Sequence, residues 1–354
     1  NINLDDLTHF RELDTLDMLT LIDRLPDQLA SAWAQVATLS HPASFKRADR
    51  IVIAAVGGAA ISAEIVAALY ADTCNIPIVI HRGDDLPAYA DGQSTLVVLL
   101  SADGNDAETL AAAELADARG VQALAITAGG VLADRVMQMG GTIWRYAPVP
   151  SARAAMGNYV GLLIGLLGRA GLIADPSTAL NETIGVLRER IATLGAASPA
   201  VKNPAKRLAG QMIGRLPLIV GTGLTIPIAR HWQAQLNMNG KAWAQVEALP
   251  DAAYIAINGT PSLTALSVLM NVVFLSAPPF ESSLMNSRLR ATSDLFMQQG
   301  LAVDRVDGVG KSALAQALSL VQYGDYVSYY VAMAYGVDPS AAFNESTASG
   351  KSEN

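Results

Sequence analysis

The stretch Arg50-Ile-Val-Ile-Ala-Ala-Val56-Gly57-Gly58-Ala59-Ala60-Ile61 decides how the chain is read. A short run of small and β-branched apolar residues ends in two glycines, and a stretch with helical spacing follows from Ile61 to Asp72. Strand, tight turn and helix in that order open a βαβ unit. Outward from it, Ile76–His81, Thr95–Leu100, Ala123–Thr127 and Thr142–Tyr146 read as strands, with helices over Ala107–Ala118 and Val131–Met139. Short strands alternating with helices predict a parallel sheet flanked by helices, and right-handed crossovers make it doubly wound. Helical spacing over residues 8–40 precedes the sheet.

The second half repeats the plan. Ala205–Ile213 reads as a helix, Leu216–Val220 as a strand running into Gly221-Thr222-Gly223, and Ile226–Met238 as the next helix. Tyr254–Ile257, Ser267–Phe274 and Ala302–Val306 are further expected strands, and Ser312–Tyr335 is a long helix. The expected fold class is therefore α/β, with two doubly wound domains. Residues 1–175 hold the N-terminal helices and first domain. Residues 176–204 are a linker with a helix over Thr183–Leu194 and a joint at Ala196–Ala200. Residues 205–343 form the second domain, and 344–354 a disordered polar tail.

Composition narrows the function. Of 354 residues, 51% are hydrophobic and 16% charged, which excludes a disordered chain. A net charge of −8 argues against a nucleic-acid surface. A single cysteine, Cys74, excludes an internal disulfide and a CxxC metal site, and His9, His41 and His81 have no metal-ligand spacing. Neither metal nor cofactor is expected. The longest apolar stretch, Ala154–Ala174, contains Asn158 and Arg169 and reads as a buried helix rather than a membrane span. Asp5, Asp6, Glu12, Asp14 and Asp17 give the start of the chain the wrong sign for a secretory signal, so a cytoplasmic protein is expected.

Ligands of open parallel sheets bind beyond the carboxyl ends of the strands. Three loops fall there: Gly57-Gly58-Ala59-Ala60, Ser101-Ala-Asp103-Gly104-Asn105-Asp106, and Gly221-Thr222-Gly223. Glycine lets a backbone approach a ligand closely, and a following helix N-terminus offers unpaired N–H groups to an anion. Neither GxGxxG nor a Walker A loop is present, and ordinary strand-to-helix turns also use such glycines.

The first two of these loops and five further segments resemble the bifunctional phosphoglucose/phosphomannose isomerases, whose two domains are sugar isomerase (SIS) domains. The family's GMGGSAI-type loop is similar to Ala55–Ile61, its R-x-x-x-LPA segment to Arg82–Ala88, and its SYSGNTEET loop to Ser101–Thr109. ITSGG corresponds to Ile126–Gly130, PRAALG to Ala152–Gly157, RWKxQxNENAK to His231–Lys241, and GDxVSxYxA…GVDP to Gly324–Pro339. The resemblance implies two SIS-type domains, a sugar or sugar-phosphate ligand, and a homodimer. It makes Gly57, Gly58, Ala59, Ser101, Asp103, Asn105, Asp106, Arg153, Asn237 and Lys241 the candidate ligand-binding residues.

The departures bear on chemistry. Aldose–ketose isomerisation needs a base to carry a proton between two carbons and a group to open the sugar ring. The family's base falls at Met238, whose thioether accepts no proton near neutral pH, and its ring-opening histidine at Tyr254. Glu247 is a weak candidate for a replacement base. The family's serine after Gly-Gly is Ala59, and a serine and threonine of the second loop are Asp103 and Asp106, while Ser101 remains. A carboxylate ~5 Å from a phosphate oxygen costs about 3 kcal/mol at an effective dielectric of ~20. Two outweigh the ~0.3–2 kcal/mol that a helix terminus offers, unless they turn away, pair with Arg153, or, for Asp106, cap the following helix. His231 replaces the family's arginine and reads as a helix-surface residue, Asn239 keeps the family frame, and the active-site lysine of the family's last helix has no counterpart but Lys351. The expected protein is a carbohydrate-derivative-binding pseudoenzyme. An active phosphosugar isomerase using Glu247, Tyr254 or the aspartates, and a partner-binding protein without a ligand, are the rivals.

Overall fold

Alternation along the first strand shows how the layers are made. The computed structural model describes residues 3–260 and 267–341. Helices α1 (Leu7–Leu13), α2 (Met18–Asp23) and α3 (Leu25–Val36) lead into β1 (Arg50–Ala54). On β1, Ile51 and Ile53 enter a large central core, while Val52 and Ala54 face a separate outer one. A strand buried on both faces is what a near-continuous apolar run specifies. The chain continues through α4 (Gly57–Leu69), β2 (Ile78–His81), β3 (Thr95–Leu100), α5 (Ala107–Ala118), β4 (Gln122–Thr127), α6 (Gly130–Gln138) and β5 (Thr142–Arg145). These strands form one parallel sheet in the order β2-β1-β3-β4-β5, with Val52 paired to Val79 on one side and Val97 on the other.

Two helices, α7 (Met156–Ala170) and α8 (Ser177–Leu194), then cross to the second half. It comprises α9 (Pro204–Met212), β6 (Leu216–Thr222), α10 (Thr225–Met238), β7 (Gln245–Leu249), α11 (Ala256–Gly259), β8 (Met270–Ser276), α12 (Ser283–Gln298), β9 (Ala302–Asp307) and α13 (Ala313–Tyr335). Its sheet is parallel too, in the order β7-β6-β8-β9. Ile219, Val273 and Leu275 join the same central core as Ile51 and Ile53, whereas Val220, Val272 and Phe274 face an outer core against Phe296 of α12. The structure is thus two helix-flanked parallel sheets sharing one helical layer, in which α13 is buried from Leu314 to Ala334. Close approach of α7 to α3 fixes the entry to α7: a Cβ at Gly161 would stand 2.7 Å from that of Ala32.

Two expectations fail in the second half. Tyr254–Ile257 is not a strand; a 3₁₀ turn at Asp251–Ala253 leads into α11 there. A four-residue apolar run does not separate strand from helix, and Tyr254 and Ile255 are exposed. The strand lies earlier, as β7, a half-buried edge that alternates too weakly to be read. Ser267–Phe274 begins as a 3₁₀ turn over Ser267–Leu269, and the strand starts at Met270. Within the expected linker, α8 buries Leu180, Thr183, Ile184 and Leu187 and packs on α3 and α13. The expected tail, 344–354, and Lys351 lie outside the described residues. Among the described residues no helix is long and apolar enough to cross a membrane.

Candidate functional site

Strand order reverses between β1 and β3, and a cavity of about 300 Å³ opens beyond their carboxyl ends. Such a reversal splays the two following loops apart, which is why open sheets bind ligands there. Gly57, Gly58 and Ala59 form one wall at the start of α4, and Ala102 and Asp106 form another before α5. Arg153, Met156 and Tyr159 close it from the entry to α7. The last wall comes from the other half of the chain: His231, Gln235 and Met238 share one face of α10 at spacings of four and three. The third candidate loop, Gly221-Thr222-Gly223, is closed by its own neighbour. Thr225 Oγ1 accepts from Thr222 N at 2.8 Å and lies 3.0 Å from the carbonyl oxygens of both Thr222 and Leu275.

The two aspartates of the second loop part company. Asp106 turns inward, and Ser101 Oγ donates to its Oδ2 at 2.5 Å, while Gly104 N donates to Ser101 Oγ at 3.0 Å. It occupies the N-cap position of α5 without making a capping hydrogen bond. Burial pushes its carboxyl above the ordinary range, with Asp103 and Glu108 adding to the rise and the Ser101 hydroxyl opposing it. Asp103 is exposed and accepts from Asn105 N at 3.0 Å. Asn105 in turn accepts from Val131 N at 3.3 Å, so both residues brace the loop from outside the cavity. Behind Ala102, Tyr146 bonds the Ala102 carbonyl and the Tyr159 hydroxyl, each at 3.2 Å. Burial pushes the Tyr146 phenol up to about 12 and Tyr159 higher still, so both stay neutral.

Arg153 clasps two segments. Its guanidinium donates to Asn239 Oδ1 at 3.1 Å, to the Met238 carbonyl at 3.2 Å, and to the Pro339 and Ser340 carbonyls at 2.9 and 3.0 Å. A lysine keeps the charge but lacks the fork. Arg153→Lys is expected to cost about 1–2 kcal/mol, read as a lower urea midpoint with an unchanged slope.

His231 is the residue that sequence reasoning misplaced. It is 3% exposed rather than on the helix surface, and its Nε2 lies 2.6 Å from Asp325 Oδ1 on α13. The same Oδ1 accepts from Gln235 Nε2 at 2.7 Å. The signal lay in the shared face of His231, Gln235 and Met238, but the partner stands 94 residues away. Among the described residues no cluster of three or more His, Cys, Asp or Glu side chains could hold a metal ion.

Comparison with known proteins agrees with this geometry. A model of the bacterial phospho-glucose isomerase C-terminal SIS domain matches residues 201–343, and the SIS domain model matches residues 44–134. A bifunctional phosphoglucose/phosphomannose isomerase of Caldicellulosiruptor bescii is 33% identical over 326 residues, covering 91% of this chain and 95% of that protein. The chain belongs to this family. A bifunctional phosphoglucose/phosphomannose isomerase of Aquifex aeolicus is 28% identical, over 75% of this chain and 78% of its own. Among solved structures, the C-terminal domain of glucosamine-fructose-6-phosphate aminotransferase from Francisella tularensis superposes with a TM-score of 0.70 at 15% identity, covering 91% of this chain and 97% of that one, a likeness of fold.

The remaining positions singled out by resemblance to the phosphoglucose/phosphomannose isomerases scatter. Met238 is 39% exposed and lines the cavity. Asn237 lines neighbouring clefts instead, and its Oδ1 accepts from Ala244 N at 2.8 Å. Lys241 also lies off the cavity; its ammonium donates to the Met238 carbonyl at 2.5 Å and to the Ala341 carbonyl. Asn239 is buried and holds Arg153. Glu247 lines a second, wider cleft with Arg82 and Arg230, whose guanidiniums both bind Glu64. Burial raises the Glu64 carboxyl, but the two arginines outweigh it and hold the group below its usual range. Tyr254 is 60% exposed, beneath the Arg288 guanidinium, and lines neither the cavity nor this cleft.

Proposed function

We propose that the cavity binds a carbohydrate derivative carrying no phosphate at the 101–106 loop, and that the isomerase chemistry of the family is degraded in this chain. One observation carries the reading: the inward Asp106 carboxylate fills, with Ser101, the loop in which the family resemblance places hydroxyls for a phosphate. A hydroxyl or amino group of an uncharged or amino sugar suits that carboxylate better than a dianion does. Met238 offers no proton-accepting atom at the position of the family's base, and Tyr254 stands away from the cavity. The protein acts as a cytoplasmic homodimer on this reading, and exposed Trp243, Tyr254 and Ile255 leave apolar surface for a second copy.

The test is proton NMR in D₂O with fructose 6-phosphate and, separately, D-glucosamine. Saturation transfer to glucosamine, without conversion of the phosphosugar or deuterium uptake into it, is the expected result. Formation of glucose or mannose 6-phosphate would overturn the proposal in favour of an active isomerase. Transfer to neither sugar would overturn it in favour of a protein that works through partners alone.

A further inference from the structure

His231, on the cavity wall, and Asp325 form a buried pair that the binding reading leaves without a task. Asp325 is 6% exposed within a helix whose other neighbours are largely apolar. A buried carboxylate is costly unless paired and hydrogen-bonded, and here both partners come from α10: His231 Nε2 at 2.6 Å and Gln235 Nε2 at 2.7 Å. With Nε2–H donated to the carboxylate, Nδ1 keeps its lone pair. Among the described residues nothing hydrogen-bonds Nδ1, and it is not among the sealed polar atoms, while the ring itself lines the cavity.

Resemblance to the family places an arginine where this chain has His231. Arginine opposite a buried aspartate is a permanent ion pair; an imidazole in the same place offers a second ring nitrogen that can accept a proton. The dyad stands seven residues before Met238, two helical turns or about 10 Å along α10. It therefore addresses a different end of a bound sugar from the position of the family's base. Proton transfer to carbon also needs donors that stabilise the enediolate oxygen. Opening a hemiacetal ring moves protons only between oxygens, and one imidazole with water suffices.

We propose that His231 is a catalytic acid–base residue that opens and closes the ring of a reducing sugar held in the cavity, with Asp325 as its positioning residue. The inference rests on the sugar-binding reading above. Nδ1 takes the proton of the anomeric hydroxyl. The bond from C1 to the ring oxygen breaks as the C1 carbonyl forms, and its electron pair passes to the ring oxygen, which takes a proton from water. The hydroxide left behind takes the proton from the imidazolium. Closure on the opposite face of the carbonyl reverses these steps and gives the other anomer.

The experiment is two-dimensional exchange NMR of D-glucosamine and D-glucose anomers with the full chain, its His231→Gln and its Asp325→Asn variants, alongside saturation transfer for binding. General acid–base catalysis contributes on the order of 10²–10⁴-fold. Anomer exchange is expected to rise by at least about 100-fold with the unaltered protein and to fall back with H231Q while saturation transfer persists. D325N is expected to slow exchange, with Asp325→Glu restoring part of it. Binding without accelerated exchange, or acceleration that survives H231Q, would overturn the dyad and leave the binding reading standing. Absence of saturation transfer from either sugar would overturn the binding reading and the dyad with it. Circular dichroism of each variant separates a lost fold from a lost proton transfer.

Discussion

Asp106→Thr is expected to tighten binding of fructose 6-phosphate on the order of 100-fold. Ionised Asp106 lies in the wall of the cavity, at the loop where a phosphate would approach the N-terminus of α5. At ~5 Å and an effective dielectric of ~20 the repulsion is about 3 kcal/mol, roughly two decades of affinity. Salt screens exposed charges over about 8 Å at physiological strength, but a half-buried pair is screened less. Threonine keeps a hydroxyl for the oxyanion and removes the charge. The carboxyl also gives the effect a pH signature. Burial holds its native pKa above the ordinary carboxylate range, so the repulsion weakens as pH falls through that raised pKa. Affinity for the phosphosugar should then rise on acidification in the unaltered protein beyond any change in the Thr variant. That difference also cancels the titration of the phosphate itself. Stability follows the same linkage. The native state holds the proton more tightly than the unfolded chain, so the contribution is fully present below the unfolded pKa and is lost as pH rises through the folded one. Asp106→Thr should therefore compare more favourably with the unaltered protein in melting temperature at pH 7 than at pH 3.5. Equal affinities of the two proteins for fructose 6-phosphate, by titration calorimetry at pH 7, would remove the electrostatic argument on which the proposed function rests.

The sheet frame was legible because its strands are buried on both faces and its helices are bounded by turns. Thr95–Leu100 and Ala107–Ala118 were read with their observed bounds. β7 escaped because an edge strand with four of its five residues half-buried has no apolar run to announce it. The site was legible as a set of loops and not as a set of contacts. Asp103 and Asp106 are the same residue type three positions apart, and only the course of the loop sends one outward to Asn105 and the other inward to Ser101. His231 looked like a surface residue because its polarity is satisfied by a carboxylate on α13 that no local pattern connects to it. Arg153 could be placed near the ligand by resemblance, but its hold on the carbonyls of Pro339 and Ser340 required the segment after α13 to be seen in space.

Gly104→Ala is expected to cost about 1–5 kcal/mol and to abolish sugar binding at the cavity, whereas Gly92→Ala costs less. Both glycines have left-handed backbone, with φ of +77° at Gly104 and +73° at Gly92. A Cβ in that region costs about 1–2 kcal/mol, offset by ~0.4–1 kcal/mol from the stiffer unfolded chain. At Gly92 nothing lies within 4 Å of the added atom. At Gly104 the carbonyl oxygen of Gly129 stands 2.0 Å away, well inside contact distance. Relief requires the 101–106 loop to part from the turn before α6, which adds the ~1–3 kcal/mol typical of overpacking. That movement withdraws Gly104 N from Ser101 Oγ, and Ser101 is what holds the Asp106 carboxylate at the cavity wall. The pair of variants isolates the close approach from backbone conformation, which they share. Urea denaturation measures the energies, and saturation transfer from D-glucosamine at a temperature where both variants are folded measures the site. If alanine at 104 is tolerated as well as at 92, with binding intact, the loop is not the rigid wall that its contact with Gly129 implies, and the inward course of Asp106 loses its structural cause.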